Sequence, residues 1–205
     1  MVKQNVRTTG YTADTPKHFI VDAGALYKNL EFDVEEGKYK GEPLGATSGG
    51  SSVSVEQEYR KIEIDGVFTD AVGTKILQSS SATLEVNIKA ITAETIRMGI
   101  NGKVLQGDGE TTPEGSTIVT GKGTLENSDY IKNVGLVGRY SGSDEPIIVI
   151  LDNVLSDEGL SFSVEDNNEA IVTMTLRAHA DAGQVADRAL PMRVIFPKLR
   201  TTPAK

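Results

Sequence analysis

Between residues 51 and 90 the chain alternates apolar and polar positions with a period of two, the signature of strands that bury one face. Val53, Val55, Gln57 and Tyr59 alternate with Ser52, Ser54, Glu56, Glu58 and Arg60, after which Ile62 and Ile64 take the even phase. Such a phase change predicts a β-bulge near Arg60-Lys61, in a strand running from Ser51 to about Ile64. In the next strand Ala82, Leu84, Val86, Ile88 and Ala90 face one way and Ser81, Thr83, Glu85, Asn87 and Lys89 the other. One face is therefore core and the other polar, as in an antiparallel sheet covered on one side.

The period then changes to that of a helix. Thr92 is placed to cap it, Glu94 sits in the first turn, Ile91 and Ile96 have the spacing of a hydrophobic staple, and Asn101-Gly102 ends it. Ala93, Ile96 and Ile100 form its apolar stripe, so a short helix over about 92–101 is predicted to cover a sheet. Gly99 inside it costs about 1 kcal/mol of propensity, so packing must hold it.

Elsewhere strand patterns are separated by punctuation every ten to fifteen residues. A short strand is expected at His18–Asp22 with a turn at Ala23-Gly24, and further strands at Thr117–Thr120, Tyr130–Arg139, Pro146–Leu151, Leu160–Val164, Glu169–Ala180 and Met192–Phe196. The unbroken run from Ile147 to Leu151 reads as a central strand buried on both faces, one of them under the helix. Residues 31–44, rich in charge, glycine and proline, read as a long loop, and residues 101–116 as another. The fold class that follows is mainly β, a two-sheet sandwich or barrel with one short flanking helix and long loops. The predicted core is Val53, Val55, Leu84, Val86, Ile88, Ile96, Ile148, Ile150, Val172, Met174 and Leu176. Residues 1–17 read as a polar arm, 18–197 as a single β domain and 198–205 as a tail.

Composition narrows the function. A chain of 205 residues with 38% hydrophobic content can build a core of its own. The absence of cysteine excludes disulfides, thiol nucleophiles and thiolate zinc sites. A net charge of -8 argues against a general nucleic-acid binder, since phosphate neutralisation needs clustered cations. No apolar run reaches membrane-span length, and the first ten residues lack the apolar core of a signal peptide.

No motif carries chemistry. Gly115–Thr124, GSTIVTGKGT, has one residue too many between its glycines for a P-loop and Gly123 where Ser or Thr must follow the lysine. Gly45–Ser52, GATSGGSS, is followed by a strand, so the helix dipole of a phosphate site is missing. His18 and His179 have no identifiable catalytic partners. The acidic stretches Asp152–Glu158 and Asp166–Glu169 lack the calcium-loop register. Catalytic, cofactor and metal residues are accordingly none.

The blocks HFIVDAGALYKNL (18–30), GEPLGATSGGSSVSVEQEYRKIEIDG (41–66) and TLEVNIKAITAETIRMGI (83–100) resemble the opening of the major tail proteins, or tail tube proteins, of long non-contractile-tailed phages and prophages. After IEIDG the chain has VFTDAVGTKI where that family carries a basic stretch. The resemblance implies a two-sheet β fold with one flanking helix and hexameric rings stacked into a hollow tube through which the genome passes. It further implies self-association, tape measure and terminator or initiator proteins as partners, genomic DNA passing without specific binding, no membrane and no cofactor. The location it implies is the virion tail, assembled in the host cytoplasm. Within that frame Ser52, Ser54, Glu56, Glu58, Thr83, Glu85 and Asn87 are expected to line the bore, with Arg60, Lys61 and Lys89 as cations needing compensation. The loops carrying Glu35, Glu36, Lys38, Lys40, Asp108 and Glu110, with the arm 1–17, are expected to make the axial contacts. Other classes stay open: a tail-completion or head-decoration protein forming one ring or none, a secreted adhesin-like domain, or a glycan hydrolase using paired acids, for which no tryptophan is present to stack a sugar.

Overall fold

A computed structural model describes residues 9–164 and 166–200; residues 1–8 of the expected arm and 201–205 of the expected tail lie outside the described residues. The chain is mainly β. Its strands are β1 (Ile20–Asp33), β2 (Lys38–Pro43), β3 (Thr47–Lys61), β4 (Lys75–Ile88), β5 (Lys103–Gln106), β6 (Thr117–Thr120), β7 (Ile131–Tyr140), β8 (Ile147–Ser163), β9 (Ile171–Arg177) and β10 (Met192–Ile195). Two short helices, α1 (Ala93–Ile100) and α2 (Ala182–Asp187), interrupt them.

One large antiparallel sheet runs in the order β2-β1-β7-β8-β9-β4-β3, with β10 also on β8, and β5-β6 form a separate hairpin. The large sheet folds over at β8. Residues Ile148–Leu151 pair with β7 and β10, whereas Leu155–Ser163 pair with β9. The two halves enclose one core, in which Leu26, Val134, Leu151 and Val154 meet Leu84, Val86, Ile88, Val172, Met174 and Leu176. Each such side chain, buried on a strand face, contributes roughly 1.5–3 kcal/mol.

The expected strands at Pro146–Leu151 and Leu160–Val164 are one 17-residue strand, β8. The polar stretch between them looked like a break because β8 changes partner there, with a register shift between Ser156 and Leu160 and left-handed backbone at Asn153 (φ 47) and Gly159 (φ 76). The loop expected at 31–44 is instead the β1–β2 hairpin. Its turn is closed by Asp33 Oδ1, which accepts the amides of Glu35 (2.9 Å) and Glu36 (3.1 Å). The turn expected at Ala23-Gly24 is a bulge inside β1, between Val21 and Ala25, with Asp22 at φ 66. Residues Lys103–Gln106 of the second expected loop are β5.

The bulge expected in the first long strand lies elsewhere. Glu58 pairs with Ser79 and Tyr59 with Leu77, so the extra residue is Gln78 on β4. Ile62 and Ile64 lie past the end of β3 and are exposed, so their change of phase marks the strand's end rather than a second buried face. Val55, expected in the core, is 43% exposed, because the β3–β4 ribbon runs on beyond the sheet that covers Val53.

Helix α1 is capped as its sequence implies: Thr92 Oγ1 accepts the Thr95 amide (3.1 Å), and Asn101 closes the other end in the left-handed conformation. Its buried side differs from the expected stripe. Thr95, Met98 and Gly99 are buried, Ile96 is half-buried against the core, and Ile100 is 38% exposed. Gly99 sets this orientation, since a Cβ there would stand 2.4 Å from Leu160 Cδ2. The helix thus lies on the later part of β8, not over Ile147–Leu151. Leu151 faces the main core, while Ile148 and Ile150 form a second cluster with Leu30, flanked by Tyr27, Tyr39 and Ile195. Helix α2, absent from the sequence expectation, is nucleated by a capping box in which Asp181 and Gln184 satisfy each other's amides.

Two polar groups hold the seams. Where β1 changes register between Lys28 and Glu31, the buried Asn133 side chain substitutes for a strand: its Oδ1 accepts the Leu30 amide (2.6 Å) and its Nδ2 donates to the Leu30 carbonyl (3.1 Å). Glu94 ties α1 to β1 through Lys28 (3.0 Å) and accepts Arg97 Nε (2.8 Å) within the helix.

Asn133→Ala leaves both Leu30 backbone groups unpaired in the interior, and chemical denaturation should show a loss of about 2–4 kcal/mol. The Arg97 guanidinium, with Lys28, holds the Glu94 carboxyl down to about 2 from its ordinary 4.5. A depressed folded-state value stabilises above the unfolded value and is lost as pH falls through the folded one. Glu94→Gln should therefore cost on the order of 1 kcal/mol at pH 7 after solvent screening. Wild type and variant should converge in stability as pH falls from about 4.5 towards 2, which paired denaturation curves would read.

Candidate functional site

The outer face of β3, β4, β9 and the end of β8 is a continuous polar surface, built by the same alternation that fills the core behind it. Ser52 stands opposite Glu85 and Ser54 opposite Thr83, while Glu56 and Glu58 stand opposite Ser81 and Ser79. Across the other edge of β4, Thr83 faces Arg177, Glu85 faces Thr175 and Asn87 faces Thr173. Four of the seven residues expected to line a bore thus stand opposite one another as two pairs, and Glu56 and Glu58 continue the same face of β3. The seventh, Asn87, joins the face through Thr173, whose Oγ1 donates to Asn87 Oδ1 (2.7 Å). On the inner side of the same rungs Leu84, Val86, Ile88, Met174 and Leu176 are buried and Val53 is half-buried.

Hydrogen bonds link neighbouring side chains across this face. Ser79 donates to Glu58 (2.8 Å) and Thr175 to Glu158 (3.1 Å). Most cations around it are spent. Lys61 pairs with Asp70 (2.7 Å), Lys89 with Glu169 (2.9 Å) and Arg177 with Asp157 (2.6 Å). Among the described residues Arg60 forms no ion pair, and neither do Glu56 and Glu85, which stay exposed. The surface is therefore hydroxyl-rich with unpaired acids, able to hold water and to repel phosphate.

The residues expected to line a bore are only part of this face. Ser79, Ser81, Thr173, Thr175 and Arg177 belong to it, and the alternation in β9 was the available signal. That alternation shows two faces but not which strand lies beside which.

The residues expected at axial contacts divide by role. Lys40 binds Asp33 (2.7 Å) and Glu36 (2.6 Å) and so braces its own hairpin, whereas Glu35 and Lys38 stay exposed. Asp108 Oδ1 accepts the amides of Glu110 (3.0 Å), Thr111 (3.0 Å) and Thr112 (3.2 Å), which hold its carboxyl well below the usual range. It is an anchor of the β5–β6 loop, and Glu110 beside it is exposed.

The two histidines are structural. His18, in a 3-10 turn rather than the expected strand, places Nδ1 2.9 Å from the Tyr140 hydroxyl. His179 packs edge-on against Tyr130 with ring centres 5.2 Å apart. Among the described residues no group of three or more metal-ligating side chains occurs, and no helix is long and apolar enough to cross a membrane.

No protein-family model matches the sequence, and no curated protein matches it. Chains of similar arrangement occur in solved structures, among them the following three. A chain of the anti-feeding prophage baseplate, in a 6-fold symmetrised cryo-EM structure, shares 13% identity with a TM-score of 0.45, over 86% of this chain and 95% of that chain. A chain in the virion of a native gene transfer agent particle shares 12% identity with a TM-score of 0.37, over 77% and 92%. A chain in the tail of an empty gene transfer agent particle, solved with C6 symmetry, shares 10% identity with a TM-score of 0.40, over 77% and 92%.

The two faces of β4 give opposite expectations for neighbouring residues. Val86→Asp places an unpaired charge at a position with no solvent exposure and should abolish the folding transition. Glu85→Gln should shift the melting temperature by no more than a degree or two, since surface substitutions change stability by about 0.5 kcal/mol or less.

Proposed function

We propose that this chain is a structural, non-enzymatic subunit that assembles into stacked rings forming the hollow tube of a phage-type tail. The observation that carries the reading is the polar face of β3-β4-β9. It is broad, hydroxyl-rich and acidic, and three of its neighbouring cations, Lys61, Lys89 and Arg177, are tied up in ion pairs. Such a surface suits the wall of a passage for DNA, because each neutralised phosphate would add a salt-dependent attraction that a sliding duplex must break.

The β3–β4 ribbon gives independent support. Val55, Tyr59 and Ile76 are exposed along it, and a long ribbon with exposed apolar groups and an open edge is a hazard for an isolated chain. Self-association removes the hazard, and a contact between two different patches closes into a ring or continues as a filament according to its rotation. In this reading Ser52, Ser54, Glu56, Glu58, Thr83, Glu85 and Asn87 line the bore. Glu35, Lys38 and Glu110 stand on hairpin ends available to neighbouring rings. Tape measure and terminator proteins are the further partners, and the assembled location is the virion tail.

Negative-stain microscopy of the concentrated protein tests the assembly: tubes of uniform width with an axial repeat are expected. Isolated single rings or persistent monomers would favour a completion or decoration role instead. With Glu56→Cys carrying a maleimide-linked gold cluster, the density should appear along the tube axis; gold confined to the outer surface would overturn the assignment of this face.

A further inference from the structure

The β3–β4 ribbon carries both halves of a contact. Pairing continues to its end, through Lys61 opposite Lys75 and the Ile62 amide on the Thr74 carbonyl (2.7 Å). Beyond it the tip 63–73 exposes a run of apolar side chains: Phe68 is 96% exposed, Val72 fully so, and Ile64 and Val67 also face solvent. The tip is acidic as well. Asp70 is held by Lys61 and Lys75, whereas Glu63 and Asp65 form no ion pair among the described residues. With Phe68 and Val72 standing free of the fold, these side chains contribute little to the stability of a single copy.

The base of the same ribbon is a complementary slot. Strand β9 accompanies β4 only from Thr83 to Ile88, with the Ala178 amide on the Ala82 carbonyl (3.0 Å) as the last bond. Among the described residues β4 pairs with β3 alone from Lys75 to Ser81, leaving one edge open. Helix α2 stands off from that edge across a cavity of about 730 Å³. Its apolar lining includes Leu77, Val185 and Pro191; its charged lining is Arg60, Arg177 and Arg188, with no acid. The Arg177 Nε is buried without a hydrogen-bond partner. Arg177 is paired with Asp157 (2.6 Å), whereas Arg60 and Arg188 form no ion pair among the described residues, a local excess of positive charge in a chain of net charge -8.

We infer that this slot receives the β3–β4 tip of a second copy, with Phe68 between α2 and the open edge of β4 and Glu63 or Asp65 against Arg60 and Arg188. The occupant is argued from charge and shape: the tip offers apolar bulk with unpaired acids, and the slot offers apolar walls with unpaired cations. A copy cannot fill its own slot, since the paired ribbon that lines the slot carries the tip beyond it. Each copy therefore gives one tip and accepts one, a head-to-tail contact that propagates. This rests on the self-association proposed above and supplies a contact for it.

The chain has no cysteine, so introduced thiols report one pair at a time. Two separately purified copies, Phe68→Cys and Val185→Cys, are mixed with a mild oxidant; both positions are exposed, so neither substitution threatens folding. The mixed disulfide dimer should form about tenfold faster or more than in a control mixture of Phe68→Cys with Val34→Cys, also exposed, because docking raises the effective concentration of only the first pair. Equal rates in the two mixtures would overturn the inference, whether or not the unsubstituted protein forms tubes. Selective cross-linking by a protein that never forms tubes would uphold the contact and sink the tube reading instead.

Discussion

The parity of β4 governs this molecule. Ala82, Leu84, Val86 and Ile88 have no solvent exposure and lie between β3 on one side and β9 on the other, so their burial fixes the register of both neighbours. The same constraint points Thr83, Glu85 and Asn87 outward and assembles the polar face without any interaction selected for it. A slip of one residue would bring the glutamate and asparagine into the core and expose the aliphatic set, at a cost of several kcal/mol per side chain. Core and polar face are therefore two consequences of one alternation.

Strand β8 turns that flat sheet into a two-layered enclosure. A strand that serves both halves must change partner midway, and the change occurs where backbone in the left-handed region is tolerated, at Asn153 and Gly159. The breaks in β1 follow the same rule, with Asp22 and Asn29 at positive φ and the Asn133 amide supplying the missing rung at Leu30. Asparagine, aspartate and glycine are the residues that visit this region at least cost. Interior polar groups are used here to mend pairing, and the ion pairs lie mostly at the surface, where each is worth a fraction of a kcal/mol.

Much of the architecture could be read from residues alone. The faces of β4 and β9 were legible because their alternation is unbroken, and α1 because Thr92 and Asn101 mark both ends. The polar residues that stand opposite one another on β3 and β4 were legible on each strand separately. The β1–β2 hairpin was hidden by its glycines, proline and charges, which suit an exposed edge strand as well as a loop. Val55 is exposed despite its phase, because periodicity tells which face a side chain is on but not whether anything covers that face. The slot beneath α2 had no sequence signal, since its walls come from residues a hundred positions apart.

The sequence by itself determined the fold class, the strand faces, the capped helix and the absence of recognisable catalytic motifs, because propensity, periodicity and side-chain chemistry are local properties. Tertiary structure decided which strands are neighbours, where β8 crosses between the halves, which side of α1 is buried, and that the β3–β4 ribbon projects past its cover. Those outcomes depend on contacts between distant segments, whose free energies are settled only when the whole core closes.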